Sequence, residues 1–181
     1  DYITLIPILT GGAARGNIAT AVSTGVDLNA TVRLEPVGVQ GAKIDVRGQI
    51  ERSRLPDPVA GISRPFDRAR AHEIAVDFRH DVPTSPWAYG GGFRQSKTLP
   101  YYRVSEVGLD YFVPRAGSLF VEHKDLMGLT ARLNVANLFG GQAVLERSVF
   151  AGPRDTARLL YRQNRYRDGG QTVSMNLSGS F

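Results

Sequence analysis

Arg158, Arg162, Arg165 and Arg167, interleaved with Tyr161 and Tyr166, are the residues of this chain whose types and spacing best suit ligand binding. Guanidinium groups present paired donors to phosphate or carboxylate oxygens, and phenol rings offer stacking surfaces. The same composition serves nucleic acid, a lipopolysaccharide phosphate surface or an anionic small molecule. A net charge of +5 permits all three, so the placement of the basic residues decides. They fall mainly in segments that read as loops and strand ends, and we expect no nucleic-acid partner.

Covalent chemistry has a weaker basis. Gly90-Gly91-Gly92 lacks a following Lys-Ser or Lys-Thr and a helix start, so it reads as a place where strands bend or approach closely. His72, His80 and His123 lie far apart, without carboxylates at zinc-site spacing, and there is no Cys. No Gly-x-Ser-x-Gly elbow or Ser-His-Asp set stands out. The expectation is no catalytic residue, no metal and no cofactor.

The elements that must position the arginines follow a period of two. Val173, Met175 and Leu177 alternate with Ser174, Asn176 and Ser178 in a segment running from Thr172 to Phe181. Val26, Leu28 and Val32 alternate with Asp27, Asn29, Thr31 and Arg33 over 25–35, and Ile44, Val46 and Ile50 with Asp45, Arg47 and Gln49. These two segments, joined across Pro36 to Gly41, predict a hairpin. Segments 73–79 and 129–136 show the same alternation, and weaker candidates lie at 2–9, 87–98, 107–121 and 159–171. About eight strands result, an estimate from pattern.

Several of these are long for a globular sheet, and the connections take turns between short (36–41, 80–86, 122–128) and long (51–71, 95–106, 139–158). No apolar run reaches the roughly 18 residues of a membrane-spanning helix, which excludes a helical membrane protein but not a barrel. The fold class expected is all-β, an antiparallel transmembrane β-barrel segment in meander order spanning 1–181 as one domain. Val26, Leu28, Val32, Val173, Met175 and Leu177 would face lipid. Asp27, Arg33, Asp45, Arg47, Arg132 and Asn176 would face a lumen. A soluble β-sandwich shares this periodicity and stays open at this point.

The strand from Leu129 to Val135 that runs into Asn137-Leu138-Phe139, the arginine- and tyrosine-rich hairpin after it, and the final alternating strand ending on Phe181 resemble the C-terminal part of TonB-dependent outer-membrane receptors. Gly25-Val26-Asp27-Leu28 also looks like one of their barrel strands. The resemblance implies a bacterial outer-membrane location and uptake of a scarce nutrient, such as a ferric siderophore, without covalent chemistry. It further implies a plug and a TonB box outside this chain, through which TonB would act. Outer-membrane lipid, lipopolysaccharide and the barrel assembly machinery would be partners, with Phe181 as assembly signal. Arg158, Tyr161, Arg162, Arg165 and Tyr166 are the expected ligand contacts. The other barrel reading is a complete eight-stranded barrel with a structural or adhesive role.

Overall fold

A computed structural model describes residues 2–8, 12–18 and 20–179. Phe181 lies outside the described residues. The chain is all-β: β1 (Tyr2–Pro7), β2 (Ala13–Ile18), β3 (Val22–Arg33), β4 (Ala42–Pro56), β5 (Ser63–Arg64), β6 (Arg70–Asp81), β7 (Trp87–Thr98) and β8 (Tyr101–Tyr102). The second half adds β9 (Glu106–Phe112), β10 (Arg115–Leu126), β11 (Leu129–Ala136), β12 (Gln142–Phe150), β13 (Leu159–Asp168) and β14 (Thr172–Ser178). Every pairing is antiparallel.

The main sheet runs β14-β11-β10-β7-β6-β4-β3, and a smaller one runs β13-β12-β9-β8. The smaller sheet repeats the order of its neighbour because each of its strands is the covalent continuation of one: β7 into β8, β9 into β10, β11 into β12, β13 into β14. Taken with these continuations, the chain from β3 onward is an uninterrupted meander. The two levels part along a seam at 99–100, 113–114, 137–141 and 169–171, where Pro100, Pro114 and paired glycines interrupt the ladder.

Alternation places one side chain of each register row on the same face across all seven main strands. One row reads Val32, Ile44, Phe78, Gly91, Leu119, Val135 and Val173, entirely apolar or glycine. The adjacent row on the opposite face reads Arg33, Lys43, Arg79, Gly90, Phe120, Asn134 and Ser174. A sheet this strictly two-faced needs a different environment on each side.

No second layer supplies one. Extensive contacts run only between hydrogen-bonded neighbours, and Leu55 and Tyr101 are the only large apolar side chains buried among the described residues. Val26 is 70% exposed, Val173 66% and Met175 63%, values typical of charged surface and costly for apolar side chains in water. A β-sandwich buries this face against a partner sheet, and this chain does not. Among the described residues β3 pairs only with β4 and β14 only with β11, so the meander is open at both edges.

The hairpin of β3 and β4 forms as the alternation requires, with a 3-10 turn at Glu35–Val37 closed by Gly38 at φ +89. Elsewhere the strands run further than the pattern predicts. β4 continues to Pro56, β10 to Leu126, and the expected long loop at 139–158 contains the nine-residue β12. The single candidate at 107–121 is two strands, broken at Val113-Pro114.

Candidate functional site

The charged face of the main sheet carries a network of ion pairs in two groups. Arg47 Nη2 lies 2.7 Å from Asp77 Oδ2, Lys43 Nζ 2.8 Å from Asp45, and Thr31 donates to Asp45 at 2.6 Å. Further along, Arg79 joins Asp81 at 2.9 Å and Glu122 at 2.7 Å, and Glu122 also meets Arg132 at 3.4 Å. Phe120 is the one aromatic ring among them, held between Arg79 (5.6 Å to the ring centre) and Arg132 (3.7 Å). It fits because Gly90 opposite has no side chain: a Cβ there would lie 2.6 Å from the ring and 2.1 Å from the Phe78 carbonyl oxygen. Of the residues expected on this face, Asp45, Arg47 and Arg132 belong to the network, and Asp27, Arg33 and Asn176 share their face by register.

At the end of the sheet that carries the long loops, a second cluster is buried. Arg64 is 4% exposed, with Nε 3.0 Å from Asp57 Oδ2 as an ion pair without hydrogen-bond geometry, and Nη1 3.0 Å from Asp67 Oδ1. Thr4 of β1 accepts from Arg64 at 3.3 Å and donates to Asp67 at 2.9 Å, and the Tyr102 backbone N–H donates to Asp67 at 2.7 Å. Asp57 also holds Arg154, from the loop before β13, and takes the backbone N–H groups of Val59 (2.8 Å) and Ala60 (3.1 Å). The Tyr102 ring lies between the guanidinium groups of Arg64 (4.7 Å) and Arg154 (5.7 Å). Burial pushes the Asp57 carboxyl up, but those N–H donors and Arg154 outweigh it and leave the pKa below the ordinary value. The cluster ties the loop after β4, the β8 turn, the loop after β12 and β1 into one rim.

Beside it lies a cavity of about 530 Å³ walled by Tyr2, Arg15, Arg68, Tyr101, Tyr102 and Arg103 among others. Arg68, paired with Asp110, and Arg103 both stand over the Tyr101 ring, at 4.8 and 5.2 Å. Burial and the Glu106 carboxylate that accepts from it push the Tyr101 phenol up to about 12, so it stays a donor through the neutral range. Three guanidinium groups and three phenols around one cavity can hold an oxygen-rich anion by bidentate hydrogen bonds and stacking.

The arginines and tyrosines expected to bind ligand do not converge in this way. Tyr161 and Arg165 lie on one face of β13 and Arg162 and Tyr166 on the other, since their partners across the pair are Val149, Leu145, Ser148 and Val144. Arg158 precedes the strand and accepts from Ala151 through its carbonyl oxygen. On the first face Arg147 stands over Tyr161 at 5.9 Å and donates to Gln163 at 2.7 Å, which is pairing within the hairpin. The convergent set at Arg15, Arg68, Tyr101, Tyr102 and Arg103 had one local signal, the Tyr101-Tyr102-Arg103 run. The rest is brought there by hydrogen bonds between distant segments: Thr4 and the Tyr102 N–H both donate to Asp67, and the Arg68 N–H donates to the Pro100 carbonyl.

The Asn-Leu-Phe segment has a structural part. Asn137, at φ +57, donates to Gly170 at 2.7 Å and accepts from Gly141 at 2.7 Å, stapling the seam between β11, β12 and β14. The Leu138 N–H donates to Gly117 at 3.0 Å, and Phe139 covers Gly117 and meets Phe93 edge-on at 5.9 Å. Asn tolerates this left-handed backbone, which explains its place at the strand end. Among the described residues no group of His, Asp and Glu side chains is placed to hold a metal ion. Comparison of the chain with family models, curated proteins and solved structures finds no match.

Proposed function

We propose that this chain is part of the wall of a transmembrane β-barrel in a bacterial outer membrane, of the TonB-dependent receptor kind, serving nutrient uptake without covalent chemistry. The observation that carries this reading is the single-layer sheet with an apolar band across all seven main strands on one face and ion pairs on the opposite face. Lipid on one side and a wet lumen on the other are the pair of environments that stabilise both at once.

The stagger of the turns supports it. The last paired positions before the three tight turns are Leu34 with Ala42, Val82 with Trp87, and Leu126 with Leu129. Counted from the shared row through Val32, Phe78 and Leu119, they lie two, four and seven residues down, about one residue per strand. With a rise of about 3.3 Å per residue and strands about 4.8 Å apart, that slant is roughly 35°, within the tilt range of such barrels. Val26, Leu28, Val32, Val173, Met175 and Leu177 then face lipid, and Asp45, Arg47, Arg79, Glu122 and Arg132 the lumen. The rim with its Arg and Tyr cavity belongs to the extracellular side, where it would collect an anionic nutrient.

The eight-strand count obtained when each continued strand is taken once, with β2 joined to β3, favours a complete small barrel as the second reading. The unpaired edges at β3 and β14 favour a larger one, because lipid cannot satisfy open backbone groups.

The absence of Cys gives a direct test. Single cysteines at 172 through 178, in the protein reconstituted in lipid vesicles, should alternate: 173, 175 and 177 react with a lipid-soluble maleimide, and 172, 174 and 176 with a water-soluble one. Uniform reactivity along the segment refutes the membrane wall.

A further inference from the structure

The apolar face does not stay apolar along its full height. Toward the long-loop end it continues as Arg52 on β4, His72 on β6, Lys97 on β7 and Arg115 on β10, by the alternation that fixes the face. Each stands one or two side chains beyond the last apolar position of its strand: Ile50, Ile74, Phe93 and Gly117. Arg52, Lys97 and Arg115 are exposed, and none has a carboxylate or hydrogen-bond partner among the described residues. The same face carries no carboxylate on β3, β4, β6, β7, β11 or β14, nor on β10 from 115 to 123. On the other face Lys43, Arg47, Arg79 and Arg132 are met by Asp45, Asp77, Asp81 and Glu122.

Next to Arg115 the same face has a cavity of about 720 Å³ bounded by Phe93, Gln95, Pro114, Arg115, Phe139 and Gly141. Gly117 leaves the space that Phe139 enters, and Phe139 is 62% exposed. The combination is an aromatic groove with a cation at its mouth, below a line of three further basic groups whose counter-charge the chain does not supply.

We propose that this strip binds a phosphorylated glycolipid of the leaflet on the long-loop side, with its phosphates on Arg52, Lys97 and Arg115 and an acyl chain in the groove of Phe93 and Phe139. The proposal rests on the membrane-wall reading. Anionic headgroups lie at the level where these cations stand, and hydrocarbon covers the apolar rows beneath.

The test uses the intact membrane protein containing this chain, extracted in detergent and titrated with bisphosphorylated lipid A, dephosphorylated lipid A and inorganic phosphate, with bound species counted by native mass spectrometry. A cation near an anionic lipid surface contributes about fivefold in affinity. The triple variant Arg52→Gln, Lys97→Gln, Arg115→Gln should therefore bind bisphosphorylated lipid A roughly a hundredfold more weakly. Arg94→Gln, an exposed cation on the opposite face of β7, should bind as the parent does, and Phe139→Ala should lose affinity for the lipid while inorganic phosphate binds detectably to neither. Unchanged lipid A affinity in the triple variant, equal binding of the dephosphorylated lipid, or equal loss in Arg94→Gln overturns the proposal and leaves the wall reading standing. Release of the parent protein from membranes by alkaline carbonate overturns both.

Discussion

Arg64→Met tests whether the rim is held by its buried charges. In the folded rim Arg64 meets Asp57, Asp67 and Thr4 and lies over Tyr102, with almost no access to water. Met keeps an unbranched side chain of about the length of the aliphatic stem and removes the charge. Breaking a buried ion pair from one side costs about 3 to 5 kcal/mol, most of it from the carboxylate left behind. Here Asp57 keeps Arg154 and two backbone N–H groups, and Asp67 keeps Thr4 and the Tyr102 N–H, which places the loss near the lower end, at about 3 kcal/mol. At about 1.4 kcal/mol per tenfold, the locally open population rises roughly a hundredfold. Hydrogen exchange in lipid-embedded protein reads this segment by segment. Residues 57–69 and 151–158 should lose protection together, because Asp57 links Arg64 to Arg154, while β14 should be unchanged. Less than threefold change, or loss confined to 57–69, refutes the idea of one shared cluster.

The same cluster should respond to acid. Asp57 binds protons less readily in the folded rim than in an open loop, so its contribution is complete above the ordinary carboxylate pKa of about 4 and is lost as pH falls through the lower folded value. Protection of 57–69 should thus be flat from pH 8 down to about 4 and collapse below it. Val173→Arg should destabilise the lipid-embedded protein by about 2 to 4 kcal/mol in urea unfolding, whereas Ser174→Arg, one residue along on the opposite face, should change it little. Equal effects at the two positions would show that the faces are wrongly assigned.

Legibility in the sequence followed the environment of each strand. β3, β4, β6, β11 and β14 are readable because their side chains alternate between an apolar and a polar face of the sheet, and period two records that difference directly. β7 has the bounds 87–98 that its sequence pattern predicts. β12, taken from sequence as loop, and β13, whose alternation is weak, lie beyond the seam. There Glu146, Arg147 and Ser148, or Arg162, Gln163 and Asn164, follow one another without regard to face. A strand wet on both sides has no reason to alternate. The Arg and Tyr cavity was illegible for a different reason. Its walls come from β1, β2, β8 and the loop after β5, joined by hydrogen bonds through Asp67, and no one segment records that meeting in its own pattern.

The seam divides the molecule into two regimes of substitution. Below it, every exchange on β10, β11 or β14 must suit an apolar and a polar face in strict succession, and a one-residue insertion would turn each strand inside out. Above it, the collar of β8, β9, β12 and β13 hangs from the same strands through prolines, glycines and the Asn137 staple, so a shift there need not propagate downward. Such a scaffold can vary its collar while its main sheet keeps a fixed alternation.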